Sequence, residues 1–484
     1  MKAGVLIRIS FLTSLNCFAR VRNPPLRPFF SSKITSLYVT MTQTRQNGAE
    51  AGATSQDASI STEVLPVNSL IARLPSWSAL EDPLKCHRRS AHQLPQEPLK
   101  NLERAANQLS SPEPHLVAFP TETVYGLGAD ATRSACVRKI YWAKNRPADN
   151  PLIVHIASLK QLSDLTGEVL PSIYEPLVKK FWPGPLTIIL PLPDPSPFAP
   201  EVTHNLKTFG VRMPATPLAR LLIALSGRPI AAPSANTSKR PSTTTAQHVL
   251  EDLDGRVAII LDGGPCGVGV ESTVVDGTCN PPAILRPGGV GIEDIRALGG
   301  EWEKIVIGYN DVKKHVEMNG EGPRAPGMKY KHYAPKGALH LFEDVPTAAN
   351  AEWRLAQILP DFGLPEVPSV GVIRVTSSWG KWLGNDVFFD TFTIGEIFHL
   401  KKSAIFPAAE GAYCYIGRTP IRMYDMELGP GVEDVAREIF AALRACDELA
   451  CDVIIVEALP EGTGAEANGL ATAVMNRLRK AAMG

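Results

Sequence analysis

The stretch "EPLKNLERAANQLSSPEPHLVAFP", Glu97 to Pro120, decides how the chain is read. Its first half spaces Leu99, Leu102, Ala106 and Leu109 on one helical face, the recurrence of an amphipathic helix. Its end, "HLVAFP", has strand length and stops at a proline. A helix leading into a strand predicts an α/β domain, and the chain downstream keeps the alternation. Ser134 is placed to cap a helix through "ACVRKIYWAKNRP" ending near Pro147, which leaves Lys144 and Arg146 in its last turn or just beyond. "PLIVHI" (151–156), "LTIILPL" (186–192), "FGVRMP" (209–214), "RPIAAPSAN" (228–236), "VAIILDGG" (257–264) and "ESTVVDG" (271–277) read as further strands. Each ends in polar or small residues, and in α/β folds ligands usually sit at strand ends, where loops can present backbone and hydroxyl groups.

Composition limits the functions worth considering. A chain of 484 residues with 44% hydrophobic and 20% charged residues is globular and long enough for two or three domains. Lys+Arg 49 balances Asp+Glu 49, so no global field draws it to nucleic acid or an anionic membrane. The eight cysteines are scattered; the closest pair, Cys446 and Cys451, lacks CxxC spacing, so reduced thiols are expected rather than disulfides. No run approaches the roughly eighteen apolar residues that would span a bilayer.

Four regions follow. Residues 1–59 read as a leader: Met1 to Gly48 carries Lys2, Arg8, Arg20, Arg22, Arg27, Lys33 and Arg45 with no Asp or Glu, which suits a mitochondrial transit peptide. Met41 offers a second start, so cytoplasmic and mitochondrial products are both expected. Residues 60–309 form the first α/β domain. Residues 310–338 are a polar, Gly- and Pro-rich linker containing "KYKHYAP". Residues 339–484 form a smaller α/β domain, with "SVGVIRV", "EGAYCYIG" and "CDVIIVEALP" as strands and "GVEDVAREIFAALRACDEL" and "GLATAVMNRLRKAA" as helices.

Several chemistries are disfavoured by the motifs. There is no GxxxxGK[ST] phosphate loop, no HExxH or paired histidine spacing for zinc, and no GxSxG elbow. "GGPCGVGVES" (263–272) lacks a strand–GxGxxG–helix context and reads as a turn, and "GTGAEANG" (462–469) as a loop. What remains is a set of cations and hydroxyls at loop positions: Lys144, Arg146, Arg212, Ser234, Asn236, Ser272, Thr273 and Arg286. Converged, they suit an anionic ligand, because Arg binds phosphate or carboxylate bidentately and Lys adds a point charge. A lone Arg at a helix end is ordinarily a solvated charge, and "PTET" or "PSAN" alone a helix cap or a turn. Arg212, between Val211 and Met213 on a strand, is different, because a charge there must be paired or line a cavity.

Taken in order, "FPTETVYGLG", "AKNRPADNPLIVHI", "FWPGPLT", "VRMP", "APSANTS", "GVESTVVD", "LRPGG" and "APGMKYKHYAP" resemble the YrdC-like threonylcarbamoyl-AMP synthases in their long form, over roughly residues 60 to 484. The resemblance implies a twisted mixed sheet with helices around a basic cavity, plus a Rossmann-like C-terminal domain. It implies a reaction of L-threonine, bicarbonate and ATP that yields threonylcarbamoyl-AMP and pyrophosphate, the first step of tRNA threonylcarbamoyladenosine modification. Threonine would be seated by Thr123, His155, Arg212, Ala232 and Ser272. ATP would be held by Lys144, Arg146, Asn150, Thr208 and Ser234, and further by Asn236, Ser242, Arg286 and Tyr333, with Tyr330 the neighbour most easily confused with Tyr333. Lys144 and Arg146, with Arg286, would carry the catalytic charge neutralisation.

The expected chemistry needs little acid–base work. The threonine amine attacks bicarbonate or carbon dioxide, and the carbamate oxygen then attacks the α-phosphorus of ATP and expels pyrophosphate. Orientation and cations carry such a reaction, with magnesium expected on the phosphates. Glu122 is expected to hydrogen-bond structurally rather than act as a base. The linker is expected to close over the nucleotide as a lid. Transient contact with tRNA or with the complex that transfers the threonylcarbamoyl group is a further expectation, and membrane association is not expected. The rival classes are an RNA-binding module, which zero net charge disfavours, and a carbamoyl-adenylate-forming carbamoyltransferase, whose acylphosphatase and zinc-finger parts are not visible here.

Overall fold

The computed structural model describes residues 60–78, 81–147, 150–168, 170–309, 332–343, 368–375, 391–392, 413–416, 419–462 and 468–483. All belong to one compact unit, Asp57–Gly484. The basic leader lies outside the described residues, and so do Tyr330 and residues 310–331 of the expected linker and lid.

The opening stretch folds as a helix, Gln96–Ser110, that buries Leu99, Leu102, Ala106 and Leu109. It feeds β2, Val117–Phe119. The first sheet begins with β1 Glu63–Pro66, β3 Gly126–Asp130, β4 Ile153–His155, β5 Leu186–Pro191 and β6 Thr208–Arg212 around that strand. It continues with β7 Ile230–Ala231, β8 Ile259–Asp262, β9 Thr273–Asp276, β10 Ala283–Arg286 and β11 Val306–Ile307. Among the described residues the order is β1-β8-β2-β3-β7-β4-β6-β5-β9-β10-β11, with parallel and antiparallel pairs mixed.

Strand alternation sorts the side chains into two layers. Val117, Phe119, Ile259 and Leu261 pack with the helices Gln96–Ser110 and Pro217–Ser226. Ala118, Val154, Ile188, Val211 and Ile260 join the core on the other face. On β6, Phe209 and Val211 enter that core, so Thr208, Gly210 and Arg212 share the opposite face.

Two local expectations change, and the helix end near Pro147 holds. Ser134 does not cap its helix: Arg133 is the N-cap, without a side-chain bond, and Ser134 is the first helical residue of Ser134–Lys144. That helix stops before Pro147 because Asn145 adopts the left-handed conformation (φ 49°, ψ 42°), which a short polar side chain tolerates. The expected strand at 228–236 shrinks to Ile230–Ala231, because the following loop bonds to β3 instead: Leu127 N–H donates to the Pro233 carbonyl and Ala235 N–H to that of Tyr125, both at 2.8 Å.

The second sheet contains β12 Ala338–Phe342, β13 Ser369–Arg374, β14 Thr391–Phe392, β15 Tyr413–Ile416, β16 Thr419–Glu427 and β17 Val453–Glu457. Its order is β12-β17-β13-β16-β14 with all those pairs parallel, and β15 lies antiparallel on β16. The helices Val432–Glu448 and Gly469–Ala482 complete a parallel α/β unit. Its core is not self-contained. Val124 and Val270, from loops of the first domain, and Tyr333 pack in one cluster with Ile439, Phe440 and Leu478.

Candidate active site

Register builds the centre of the site. His155 lies opposite Arg212 on β4 and β6, and Arg212 opposite Thr187 on β6 and β5. Three polar side chains therefore form one row across strands about 4.8 Å apart. The "PTET" turn after β2 closes on this row. Thr121 fixes the turn: its hydroxyl donates to the Val124 carbonyl (2.7 Å) and lies 2.9 Å from that of Thr123.

Arg212 is buried, as its place on a strand predicted. Its Nη1 donates to Thr123 Oγ1 at 2.8 Å, its Nη2 to Glu122 Oε1 at 2.5 Å and its Nε to the Gly184 carbonyl at 3.2 Å. The second Glu122 oxygen accepts the Ala215 N–H at 2.9 Å. Both carboxylate oxygens are thus engaged in structure. Three of the five guanidinium N–H groups are used on these partners, and a bound carboxylate has two to meet. Beside them, Ser272 Oγ is 2.8 Å from Thr187 Oγ1 and accepts from Arg286 Nη2 at 3.0 Å. Arg286 Nε and Nη2 also hold the Ser272 carbonyl, at 3.1 and 2.9 Å. The buried Ala232 bonds through its N–H to the Ile153 carbonyl (3.1 Å), next to His155.

Burial, with the Arg212 charge next, lowers the His155 pKa to about 3. The imidazole is neutral at any ordinary pH, so it offers a hydrogen-bonding ring and no charge.

The second group of cations comes from the end of the helix Ser134–Lys144. Lys144 is buried, and its ammonium donates to the Ser234 carbonyl and to that of Asn236 (2.6 Å). The "PSAN" loop is rigid beneath it: Ser234 Oγ donates to Asn236 Oδ1 at 2.5 Å, and Asn236 Nδ2 to the carbonyls of Thr237 and Arg240 at 2.8 and 3.0 Å. Burial, and then Arg146, push the Lys144 pKa well below the usual lysine value. A phosphate would reverse that shift, because an opposite charge favours the ammonium. Arg146 Nη2 and the Tyr141 hydroxyl both donate to the Asn150 carbonyl, at 3.3 and 3.0 Å, tying Asn150 to the end of the helix.

The two groups share one electrostatic neighbourhood. Burial is the main cause that lowers Arg286 to about 10, with Arg477 and Arg212 adding repulsion against Tyr333 and Glu271. His332 is lowered to about 3, first by burial, with Lys144 and Arg146 contributing. Tyr333, at φ 65°, is buried, stacks on Phe440 at 5.3 Å between centroids, and is raised to about 12, chiefly by burial. Ser242 donates to Glu271 Oε1 at 2.6 Å. Thr208 is set apart: it shares the face of Arg212 but lies four residues back along β6, about 13 Å away. The depression lined by Leu162, Thr166 and Leu190 holds none of these residues.

Sequence reasoning missed Thr187, Glu271, Arg444 and Arg477. Glu271 and Thr187 stood in quoted motifs, and their polarity within apolar runs was the available signal. Arg444 and Arg477 gave less, because the partners Asp252 and Glu271 are about two hundred residues away in sequence.

The donor set is one of cations and hydroxyls. Its two carboxylates, Glu122 and Glu271, are ion-paired with Arg212 and Arg477. Among the described residues no group of three or more His, Cys, Asp and Glu is placed to hold a metal. The arrangement can bind and orient anions and offset charge that develops on them.

Known proteins resemble this chain over most of its length. A family model described as Sua5_yciO_yrdC, telomere recombination, matches residues 113–288. A second, described as threonylcarbamoyl-AMP synthase, C-terminal domain, matches residues 290–483. Threonylcarbamoyl-AMP synthase of Schizosaccharomyces pombe is 42% identical over 80% of this chain and 90% of its own length. That of Bacillus subtilis is 42% identical over 77% and 90%. Among solved structures, Sua5 of Pyrococcus abyssi complexed with L-threonine superposes with TM-score 0.61 at 40% identity, covering 79% of this chain and 94% of that one. A double alanine variant of the same Sua5 gives TM-score 0.63 at 37% identity, covering 87% and 96%.

Proposed function

This chain belongs to the threonylcarbamoyl-AMP synthase family, and from that premise we propose how its residues carry the synthesis. The enzyme makes L-threonylcarbamoyl-AMP and pyrophosphate from L-threonine, bicarbonate and ATP, the first step of tRNA threonylcarbamoyladenosine modification. The observation that carries the residue assignment is the buried Arg212 held between Thr123, Glu122 and Gly184 in the row with His155.

In this reading the threonine carboxylate takes the two remaining N–H groups of Arg212, and Thr123, His155, Ala232 and Ser272 enclose the rest. Neutral His155 does not compete with the substrate ammonium by charge. The amine, once deprotonated, attacks carbon dioxide and loses a proton, or attacks bicarbonate and expels water, and either route gives the carbamate. Lys144, Arg146 and Arg286 hold the ATP phosphates, assisted by Asn150, Ser234, Asn236, Ser242 and Tyr333, with Thr208 left to a more distant part of the nucleotide. The carbamate oxygen attacks the α-phosphorus, the bond to the β-phosphate oxygen breaks, and pyrophosphate leaves with the electron pair. Two anions must meet, so positioning and charge neutralisation are the main contributions. Magnesium would enter on the ATP phosphates, and no step above is routed through it. We place the enzyme in the cytoplasm, with a mitochondrial product supported by the carboxylate-free basic stretch Met1 to Gly48, and in transient contact with tRNA or the threonylcarbamoyl-transferring complex.

Pyrophosphate release from ATP, with threonine and bicarbonate omitted in turn, tests the reading. Release requires both substrates and falls sharply in Arg212→Ala and Lys144→Ala. Release indifferent to threonine would overturn it.

A further inference from the structure

Arg477 lies in the last helix of the C-terminal domain, in the middle of Gly469–Ala482, yet it is buried, and apart from the Ala473 carbonyl of its own helix (3.3 Å) its hydrogen-bond partners are in the first domain. Its Nε donates to Glu271 Oε2 at 3.0 Å and its Nη1 to the Pro287 carbonyl at 2.5 Å. Its guanidinium carbon also sits 5.9 Å from the centre of the Tyr333 ring. Glu271, Pro287 and Tyr333 are each one residue, or none, from a residue of the candidate site. Glu271 precedes Ser272, Pro287 follows Arg286, and Tyr333 is itself a candidate. The second Glu271 oxygen accepts the Ser242 hydroxyl, which adds a fourth.

One rigid fork thus ties together the two segments whose side chains meet at Ser272, where Arg286 holds both the carbonyl and the hydroxyl. The surrounding backbone leaves little freedom. A Cβ on Gly288 would lie 2.2 Å from the Thr273 nitrogen, and one on Gly469 2.1 Å from Gly291 Cα, so the helix carrying Arg477 is seated directly on the "LRPGGVG" segment. A planar guanidinium reaching a carboxylate and a carbonyl at once is a task lysine's single ammonium cannot copy.

We propose that Arg477 is a positioning residue of the synthase reaction. The C-terminal domain, through the Arg477–Glu271 pair, sets the placement of Ser272, Arg286, Ser242 and Tyr333 for threonine and ATP. The inference rests on the synthase reading of the same site. It gives the C-terminal domain a part in substrate geometry beyond anchoring the linker. Because Arg477 touches the segments of both half-sites, its loss raises KM for both substrates and lowers kcat, whereas a role in folding alone would change only the amount of native enzyme.

The test uses the full chain and four proteins: wild type, Arg477→Lys, Glu271→Gln and the double variant. Threonine-, bicarbonate- and ATP-dependent pyrophosphate release is measured per folded molecule, with thermal melting in parallel. Wild-type release that lacks this dependence would defeat the synthase reading itself, separately from the present inference. Given wild-type activity, Arg477→Lys is expected to fold and to lose at least tenfold in kcat/KM for ATP and for threonine. The Glu271→Gln and double variants are expected to lose about as much as the worse single variant, because the two residues act through one contact. Normal kcat/KM per folded Arg477→Lys molecule, or losses that multiply in the double variant, would overturn the proposal. Should Arg477→Lys fail to fold, Glu271→Gln is measured alone, and wild-type KM values in that variant would overturn the proposal equally.

Discussion

Arg212 spends three N–H groups on protein partners, so its remaining geometry is set before any substrate arrives. Replacing it with Lys keeps the charge and loses the fork. KM for threonine in Arg212→Lys should rise roughly tenfold to a hundredfold, the equivalent of one charge-assisted hydrogen bond of about 1.5–3 kcal/mol, as initial-rate kinetics would show. The buried histidines predict a pH effect. His155 and His332 have folded pKa values near 3, below the 6.5 of an unfolded imidazole, so the unfolded chain binds protons first as pH falls. Their contribution is fully present above about 6.5 and is lost as pH drops towards 3, by at most about 1.4 kcal/mol per pH unit per group. Melting temperature should therefore fall from pH 7 to 4, and less steeply in His155→Gln; equal slopes would contradict the burial argument. Arg212 itself was legible, because a charge between Val211 and Met213 on a strand needs a partner. Which partner was not, since Glu122 is ninety residues away in sequence.

Among the elements, the apolar strands β5, β8 and β17 follow from their short apolar runs, and the amphipathic helices Gln96–Ser110, Val432–Glu448 and Gly469–Ala482 from periodicity. What periodicity did not reveal has local causes. β3, Gly126–Asp130, has glycine or aspartate at three of its five positions in "GLGAD", yet it is a buried strand because glycine there allows close packing: a Cβ on Gly128 would lie 2.8 Å from the Phe119 ring. In the "GGPCGVGVES" turn, Gly263 and Gly269 are likewise crowded by neighbours distant in sequence. Gly269 has φ +82°, and a Cβ there would lie 2.2 Å from the Ala436 carbonyl oxygen in the helix Val432–Glu448. Gly264 has the same φ with nothing within 4 Å. Gly264→Ala should cost only the backbone strain, about 1–3 kcal/mol. Gly269→Ala should cost clearly more and also lower kcat/KM, because the displaced loop leads into Glu271 and Ser272. Equal melting temperatures for the two variants would show that the helix gives way freely.

At the scale of the molecule, the two sheets are joined by buried charge as well as shared apolar packing. Arg444, from the C-terminal domain, bonds both oxygens of Asp252 at 3.1 and 2.9 Å and the Pro241 carbonyl at 2.7 Å. Arg240 links Asp252 to Asp447 from the other side. Removing one partner of such a buried network costs about 3–5 kcal/mol. In native-state hydrogen exchange, the helices Gln96–Ser110 and Val432–Glu448 should open together in the wild type, and the second alone, at lower free energy, in Arg444→Ala. This coupling is why the site cannot be understood from the first domain alone: Val124, Ser242, Glu271 and Tyr333 each meet a residue of the second. The central claim is that these groups join threonine, bicarbonate and the AMP moiety of ATP. The most direct measurement supplies carbon-labelled bicarbonate, labelled threonine and ATP and identifies the nucleotide product by mass. One adduct of AMP carrying both labels in equal amounts, formed with one pyrophosphate each, is the predicted result. A threonine–AMP adduct without bicarbonate carbon, or AMP formed without either label, would contradict it.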